Sequence, residues 1–167
     1  MQPEARSGQA AGVRARSLAE VLACPAGARD ALNAVAQCID VDVGEKVFRQ
    51  AEMCRGLYVV VSGQFLRRTE RLNTRLTLGL ARAGDLVELA AALGDGRHTF
   101  TLAAQVAGSV LLLPMDALNR AFETCPRLRM QLLEELAREV SRGYDASCQN
   151  RMPKTRQRIV RAASEQA

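Results

Sequence analysis

Asp85 and Glu88 place two carboxylates three residues apart, ahead of the polar stretch Arg97-His98-Thr99 and of Thr101. Paired carboxylates can divide general-acid and general-base work. That chemistry also needs a nucleophile–base pair or a metal-ligand set, and the sequence puts neither beside them. Capping of a helix that starts near Glu88 accounts for both. His98 is the only histidine. The five cysteines (Cys24, Cys38, Cys54, Cys125, Cys148) are odd in number, form no CxxC and keep no regular spacing to it. They predict reduced thiols, not a disulfide framework or a zinc site. A P-loop, a dinucleotide fingerprint and an HExxH are all missing. The expectation is a protein that is not an enzyme and holds no metal.

The elements that must carry these residues follow from composition and pattern. A chain of 167 residues, 48% hydrophobic and 25% charged, is long enough to bury a core without staples and excludes a wholly disordered, collagen-like or coiled-coil-only protein. Aromatics at 4% with no Trp argue against binding single-stranded nucleic acid by base stacking. Ser17 with Glu20 predicts a short capped helix ending at Cys24-Pro25, and a second helix covers 28–36. From Ile39 the pattern changes to short β-branched and apolar runs, 39–43, 46–49, 57–62, 64–70, 75–81, 99–105 and 109–114. Glycines such as Gly44, Gly63, Gly84 and Gly108 punctuate them. About one strand per ten residues reads as a β-barrel or sandwich.

A short helix is predicted over 115–124 and a long one from Arg127 to about Asn150. In the long helix Met130, Leu133, Ala137, Val140 and Tyr144 recur at 3, 4, 3 and 4, a coiled-coil seam. Leu128, Leu132 and Leu136 form a second stripe. One stripe can cover the barrel while the other meets a partner helix in a parallel homodimer; the alternative packs both on the barrel. Pro153 ends the helix, and 155–163 is a last amphipathic stretch. Of the net charge of +5, residues 126–167 carry +4, nine basic against five acidic, and the first 125 residues only +1. A basic end suits an acidic partner or a solvated face. No apolar run is long enough for a membrane span, and residues 1–16 lack a signal-type apolar core, so a cytoplasmic protein with a loose N-terminal arm is expected.

Particular residues carry a family resemblance. The segment Val43-Gly44-Glu45-Lys46-Val47-Phe48-Arg49-Gln50, followed by Gly56-Leu57-Tyr58-Val59-Val60-Val61-Ser62-Gly63, resembles the opening strands of the cyclic-nucleotide-binding domain superfamily. Ala83-Gly84-Asp85-Leu86-Val87-Glu88-Leu89 is similar to the start of its phosphate-binding cassette. Val110-Leu111-Leu112-Leu113-Pro114-Met115-Asp116-Ala117-Leu118 is similar to its last strand and following helix. With the long helix behind, the nearest branch is the CRP/FNR type of bacterial regulator. The resemblance runs from about Leu18 to Ala163. It implies a mostly β fold with flanking helices: a double-stranded β-helix, or jelly roll, over 17–125, a dimerisation helix over 126–152, and a short basic helix over 153–167.

In that family backbone N–H groups at a helix N-terminus and an Arg neutralise the cyclic phosphate, and a Glu accepts from the ribose hydroxyl. The resemblance implies a ligand site of Leu86, Val87, Glu88, Leu89, Arg97, His98, Thr99 and Thr101. Three departures mark it. Val87 stands where a Gly precedes the Glu, and Phe100 where Ala is usual. Arg97 fits one spacing of the superfamily, while reading back from Val110 puts His98 at the Arg position. The expectation is a pocket degenerate towards cyclic AMP or GMP, either empty or adapted to something else. Haem-containing sensors form one branch of the family, so His98 is either an axial ligand or a histidine hydrogen-bonded near the rim. The fourteen residues after Pro153 fit the first helix of a winged helix-turn-helix and nothing more, so sequence-specific DNA binding by this chain alone is not expected. The function expected is a non-catalytic sensor or regulatory module acting in transcription through its homodimer, a protein partner or a full-length relative. One alternative is a regulator that contacts DNA through its basic C-terminal segment; another is a haem-based gas or redox sensor.

Overall fold

The computed structural model describes residues 22, 24–71 and 74–151, and of residues 70, 71, 74, 75 and 144–151 the backbone alone. The expected arm, the helix from Ser17 and the basic stretch 155–163 lie outside the described residues. The elements are α1 (Ala26–Val35), β1 (Gln37–Val41), β2 (Lys46–Phe48), β3 (Gly56–Arg71), β4 (Thr74–Arg82), β5 (Leu86–Val87), α2 (Leu89–Leu93), β6 (Thr101–Pro114), α3 (Met115–Thr124) and α4 (Pro126–Arg151). Two compact units divide the chain, Met1–Leu132 and Leu133–Ala167.

Two long strands organise the first unit. β6 pairs antiparallel with β3 along most of its length. Near its C-terminal end β6 also pairs with β1, and near its N-terminal end with β2. β3 pairs with β5 at its start and with β4 over its second half. The result is a β-roll of two four-stranded halves that share β3 and β6.

Here the structure corrects the sequence reading, which broke each long strand at a glycine. Ladder pairing shifts register around Ser62, Gln64 and Phe65 but does not stop. Gly63 has φ +84°, and a Cβ there would lie 2.8 Å from the Ala107 carbonyl oxygen and the Gly108 Cα. A Cβ on Gly108 would lie 2.1 Å from the Ser62 carbonyl oxygen. These glycines are bulges that bend two crossing strands where only a bare backbone fits.

Inside the roll, Val41, Phe48, Tyr58, Val60, Phe65, Val87, Phe100, Leu102, Val110 and Leu112 form one buried cluster. Side chains alternate across a strand, so Leu57, Val59, Leu111 and Leu113 face the other way. They are nonetheless fully buried, because α1 and α3 pack on that side. Burial on both faces explains the continuous apolar runs 57–61 and 110–113. Leu32 of α1, Leu118 of α3 and Leu128 and Leu132 at the start of α4 are buried as well. Each contributes about 1.5–3 kcal/mol by leaving water. Met130, Leu133 and Val140 of α4 are exposed by 57%, 40% and 56%. The two stripes of α4 therefore differ: 128 and 132 are buried, whereas these three residues keep about half their surface in solvent. The side chain of Tyr144 lies outside the described residues.

Candidate functional site

Backbone pairing between two surface segments decides which side chains enter the roll. Ala51 N–H donates to the His98 carbonyl at 2.8 Å, His98 N–H to Glu52 at 2.9 Å, and Cys54 N–H to Gly96 at 2.7 Å. Met53 and Arg97 face each other across this ladder. One residue of register in such a ladder exchanges inside for outside. Arg97 consequently turns out, with its guanidinium donating to the Ala51 carbonyl at 3.0 Å. His98 turns in and is buried.

Glu88 lies between the short strand β5 and α2, at the helix's N-cap, with φ 72° and ψ 32°. A non-glycine residue in this left-handed region costs about 1–2 kcal/mol. Its carbonyl accepts from Ala92 N–H, opening the helix, but its side chain makes no capping bond. The expected capping role is thus corrected. The carboxylate instead reaches Thr99, whose N–H donates to Oε1 at 3.2 Å and Oε2 at 3.3 Å, and whose hydroxyl donates to Oε1 at 3.1 Å. Asp85 does not cap this helix either; its Oδ2 accepts from Arg82 N–H at 2.9 Å and closes a turn.

His98 Nδ1 lies 3.3 Å from Glu88 Oε2, and the two side chains are 1% and 0% exposed. The angles make no hydrogen bond, and both ring nitrogens of His98 are buried without a partner. The imidazole stacks on Phe48 at 3.8 Å and 5°, with the Tyr58 ring tilted 5.8 Å away. Cys54 completes the group. Its thiol donates to the Gly56 carbonyl at 3.0 Å, and one donor atom each of Cys54, Glu88 and His98 lies within 4.8 Å of the others. Burial pushes the Cys54 thiol up, against the lowering effect of its bond to Gly56, and the Glu88 carboxylate adds to the rise. Burial also pushes the Tyr58 hydroxyl up to about 12.

The remaining expected residues serve the surroundings. Val87 and Leu89 are buried apolar contacts, Leu86 pairs with Val59, and Thr101 Oγ accepts from Gln50 N–H at 3.0 Å. Phe100 is buried against Phe48, with the Arg67 guanidinium carbon 5.8 Å above its ring. Sequence reasoning missed Cys54, because the Gly96 to Cys54 bond that brings it beside His98 joins positions far apart in the chain.

A haem does not fit these residues. The imidazole of His98 is enclosed, with one face covered by Phe48, so neither nitrogen has the open space a macrocycle needs. The Glu88 oxygens are engaged by Thr99, and the Arg97 guanidinium lies at the surface. A cleft of about 570 Å³ elsewhere on the roll is lined by residues of β1 and β2, including Ile39, Asp40, Lys46 and Phe48, and not by Glu88 or His98.

Residues 39–125, more than half of the chain, match the family described as Cyclic nucleotide-binding domain. The chain belongs to this family. No curated protein matches it significantly, but this cyclic nucleotide-binding domain is similar to many solved structures. The sensor domain of the transcriptional regulator DNR from Pseudomonas aeruginosa is 19% identical over 84% of this chain and 93% of that one, with a TM-score of 0.65. Thermus thermophilus Catabolite Activator Protein is 23% identical over 75% of this chain and 59% of that one, at 0.66. The N-terminal domain of a transcriptional regulator from Streptomyces coelicolor A3(2) is 22% identical over 81% and 94%, at 0.59. The domain thus has the fold of the sensor domains of CRP/FNR-type regulators. Among the described residues no helix is long and apolar enough to cross a membrane.

Proposed function

We propose that this domain is a non-catalytic sensor or regulatory module of the CRP/FNR type, acting in transcriptional regulation through its own dimer, with a pocket degenerate towards cyclic nucleotides. One observation carries the reading: the Glu88 carboxylate is bonded to Thr99 within its own chain, and the buried neighbour beside it is His98 and not a guanidinium. The set around it, Leu86 to Leu89 with Arg97, His98, Thr99 and Thr101, is then an altered effector site. Signals reach the rest of the molecule by changing how two long helices meet, which requires two dimer states of different affinity for the effector.

The apolar seam of α4 supports the dimer. Met130, Leu133 and Val140 are about half exposed and Ala137 is exposed between them, at the 3, 4, 3 spacing that a second copy of the same helix matches. Burying what each large side chain leaves in solvent is worth about 1 kcal/mol. Sedimentation velocity tests this: the wild type should run as a dimer, and the double variant Leu133→Asp/Val140→Asp as a folded monomer with unchanged far-ultraviolet circular dichroism. A monomeric wild type at high micromolar concentration, or a dimeric double variant, would overturn it.

A further inference from the structure

We propose that Cys54, Glu88 and His98 form a three-ligand site for a borderline transition-metal cation, of which zinc is the natural occupant. Cys54 is remote in sequence from Glu88 and His98, and the three side chains meet at the ladder of residues 51–54 and 96–98. Thiolate, imidazole and carboxylate together make a donor set that suits zinc better than calcium or magnesium, which take oxygen ligands.

Two observations point to a ligand independently of the residue types. His98 is almost wholly buried and neither ring nitrogen has a hydrogen-bond partner; Nδ1 has the Glu88 carboxylate within ion-pair range, and a buried ring left without hydrogen bonds costs stability unless something occupies it. Its Nδ1 sits 3.3 Å from Glu88 Oε2 in a geometry that is not a hydrogen bond. Two ligands on one tetrahedral ion, each with a bond of about 2.0–2.1 Å, stand roughly 3.3 Å apart. The separation that fails as a hydrogen bond therefore fits a shared cation.

Cys54 needs the larger adjustment, since its sulfur gives up the bond to the Gly56 carbonyl. Its proton passes to solvent as the metal–sulfur bond forms. Oε2 gives up its 3.3 Å share of the Thr99 N–H, while Oε1 keeps both the N–H and the hydroxyl of Thr99, an outer-shell contact that fixes the ligand. The ladder over the cluster is itself at the surface: Met53 is 75% exposed, and Glu52 and Arg97 are exposed. Three protein ligands leave a fourth position for water or an effector. The inference stands on this cluster and does not depend on the dimer or on any nucleotide.

Cobalt(II) is the spectroscopic probe and zinc the competitor, used with the full chain. The expected result is one cobalt per chain, a thiolate-to-cobalt charge-transfer band displaced by zinc, and a rise in the unfolding temperature. The band should persist when Cys24, Cys38, Cys125 and Cys148 are all replaced by Ser, and vanish in Cys54→Ser. His98→Phe keeps an aromatic ring on Phe48 and removes the imidazole. It should weaken cobalt binding by more than the roughly 10–100-fold that losing an outer-shell partner costs. Circular dichroism without metal identifies any variant that fails to fold, and the wild type against whichever of Cys54→Ser and His98→Phe folds then decides. A band that survives in either variant at unchanged affinity, or a wild type that binds no cobalt, overturns the proposal.

Discussion

Glu88→Ala is the perturbation that separates a carboxylate bonded within the fold from one held ready for a nucleotide. In the structure the carboxylate takes three contacts from Thr99 and is 0% exposed. Loss of a partner for a partly buried N–H and a hydroxyl costs about 1–2 kcal/mol. Removal of the buried stem adds about 0.8 kcal/mol per methylene. With one methylene lost, the total is about 2–3 kcal/mol, read as a lower midpoint of urea unfolding at unchanged slope. Glu88→Gly makes the same deletion at φ 72° without the strain of a Cβ. Relief of about 1–2 kcal/mol set against about 0.4–1 kcal/mol of added chain entropy should leave it about 1 kcal/mol more stable than Glu88→Ala. If Glu88→Ala unfolds within about 0.5 kcal/mol of the wild type, a shift typical of an ordinary surface substitution, the carboxylate contributes nothing internally and the reasoning fails.

Three further outcomes are expected. Ala51→Gly should raise stability by about 0.5–1 kcal/mol, because Ala51 has φ 68° and the strain relieved exceeds the entropy added; a lower urea midpoint would contradict this. Glu135→Gln should cost about 0.5 kcal/mol at neutral pH, as for a part-exposed network, since hydrogen bonds from Arg138 and then Arg142 hold the Glu135 carboxyl below its ordinary value. A lowered folded pKa gives stability that is present above the unfolded value and lost as pH falls through the folded one, so variant and wild type should converge in acid and part at neutral pH. Leu128→Ala should destabilise by about 2–5 kcal/mol because Leu128 is fully buried at the start of α4; a loss under 1 kcal/mol by chemical denaturation would place that turn outside the core.

Much of this architecture was legible in the sequence because it rests on local signals. Pro114 and Cys125-Pro126 bracket α3 and start α4 where the pattern put them, and the apolar runs of β3, β4 and β6 are where expected. The sequence pattern breaks the long strands at Gly63 and Gly108, where the ladder continues through a bend, because a bulge glycine and a turn glycine look alike in one dimension. Their difference lies in the close crossing of two strands. The site was less legible for the same reason. Whether Arg97 or His98 points inward is a matter of one residue of register, fixed by bonds from His98 to Ala51 and Glu52. Nothing local to residues 97 and 98 encodes it. Cys54 likewise joins Glu88 and His98 only through the non-local pairing of Cys54 with Gly96.

The central claim is that the Glu88 carboxylate is internal to the fold, so that the roll does not hold a cyclic nucleotide in its family's manner. The most direct measurement is thermal unfolding of the wild type with cyclic AMP and cyclic GMP, each at millimolar concentration. A ligand present at 100 times its dissociation constant stabilises the native state by about 2.7 kcal/mol, which for a chain of this size is about 5–10 °C. The account predicts no shift with either nucleotide. A rise of several degrees with one of them, abolished in Glu88→Ala, would contradict it.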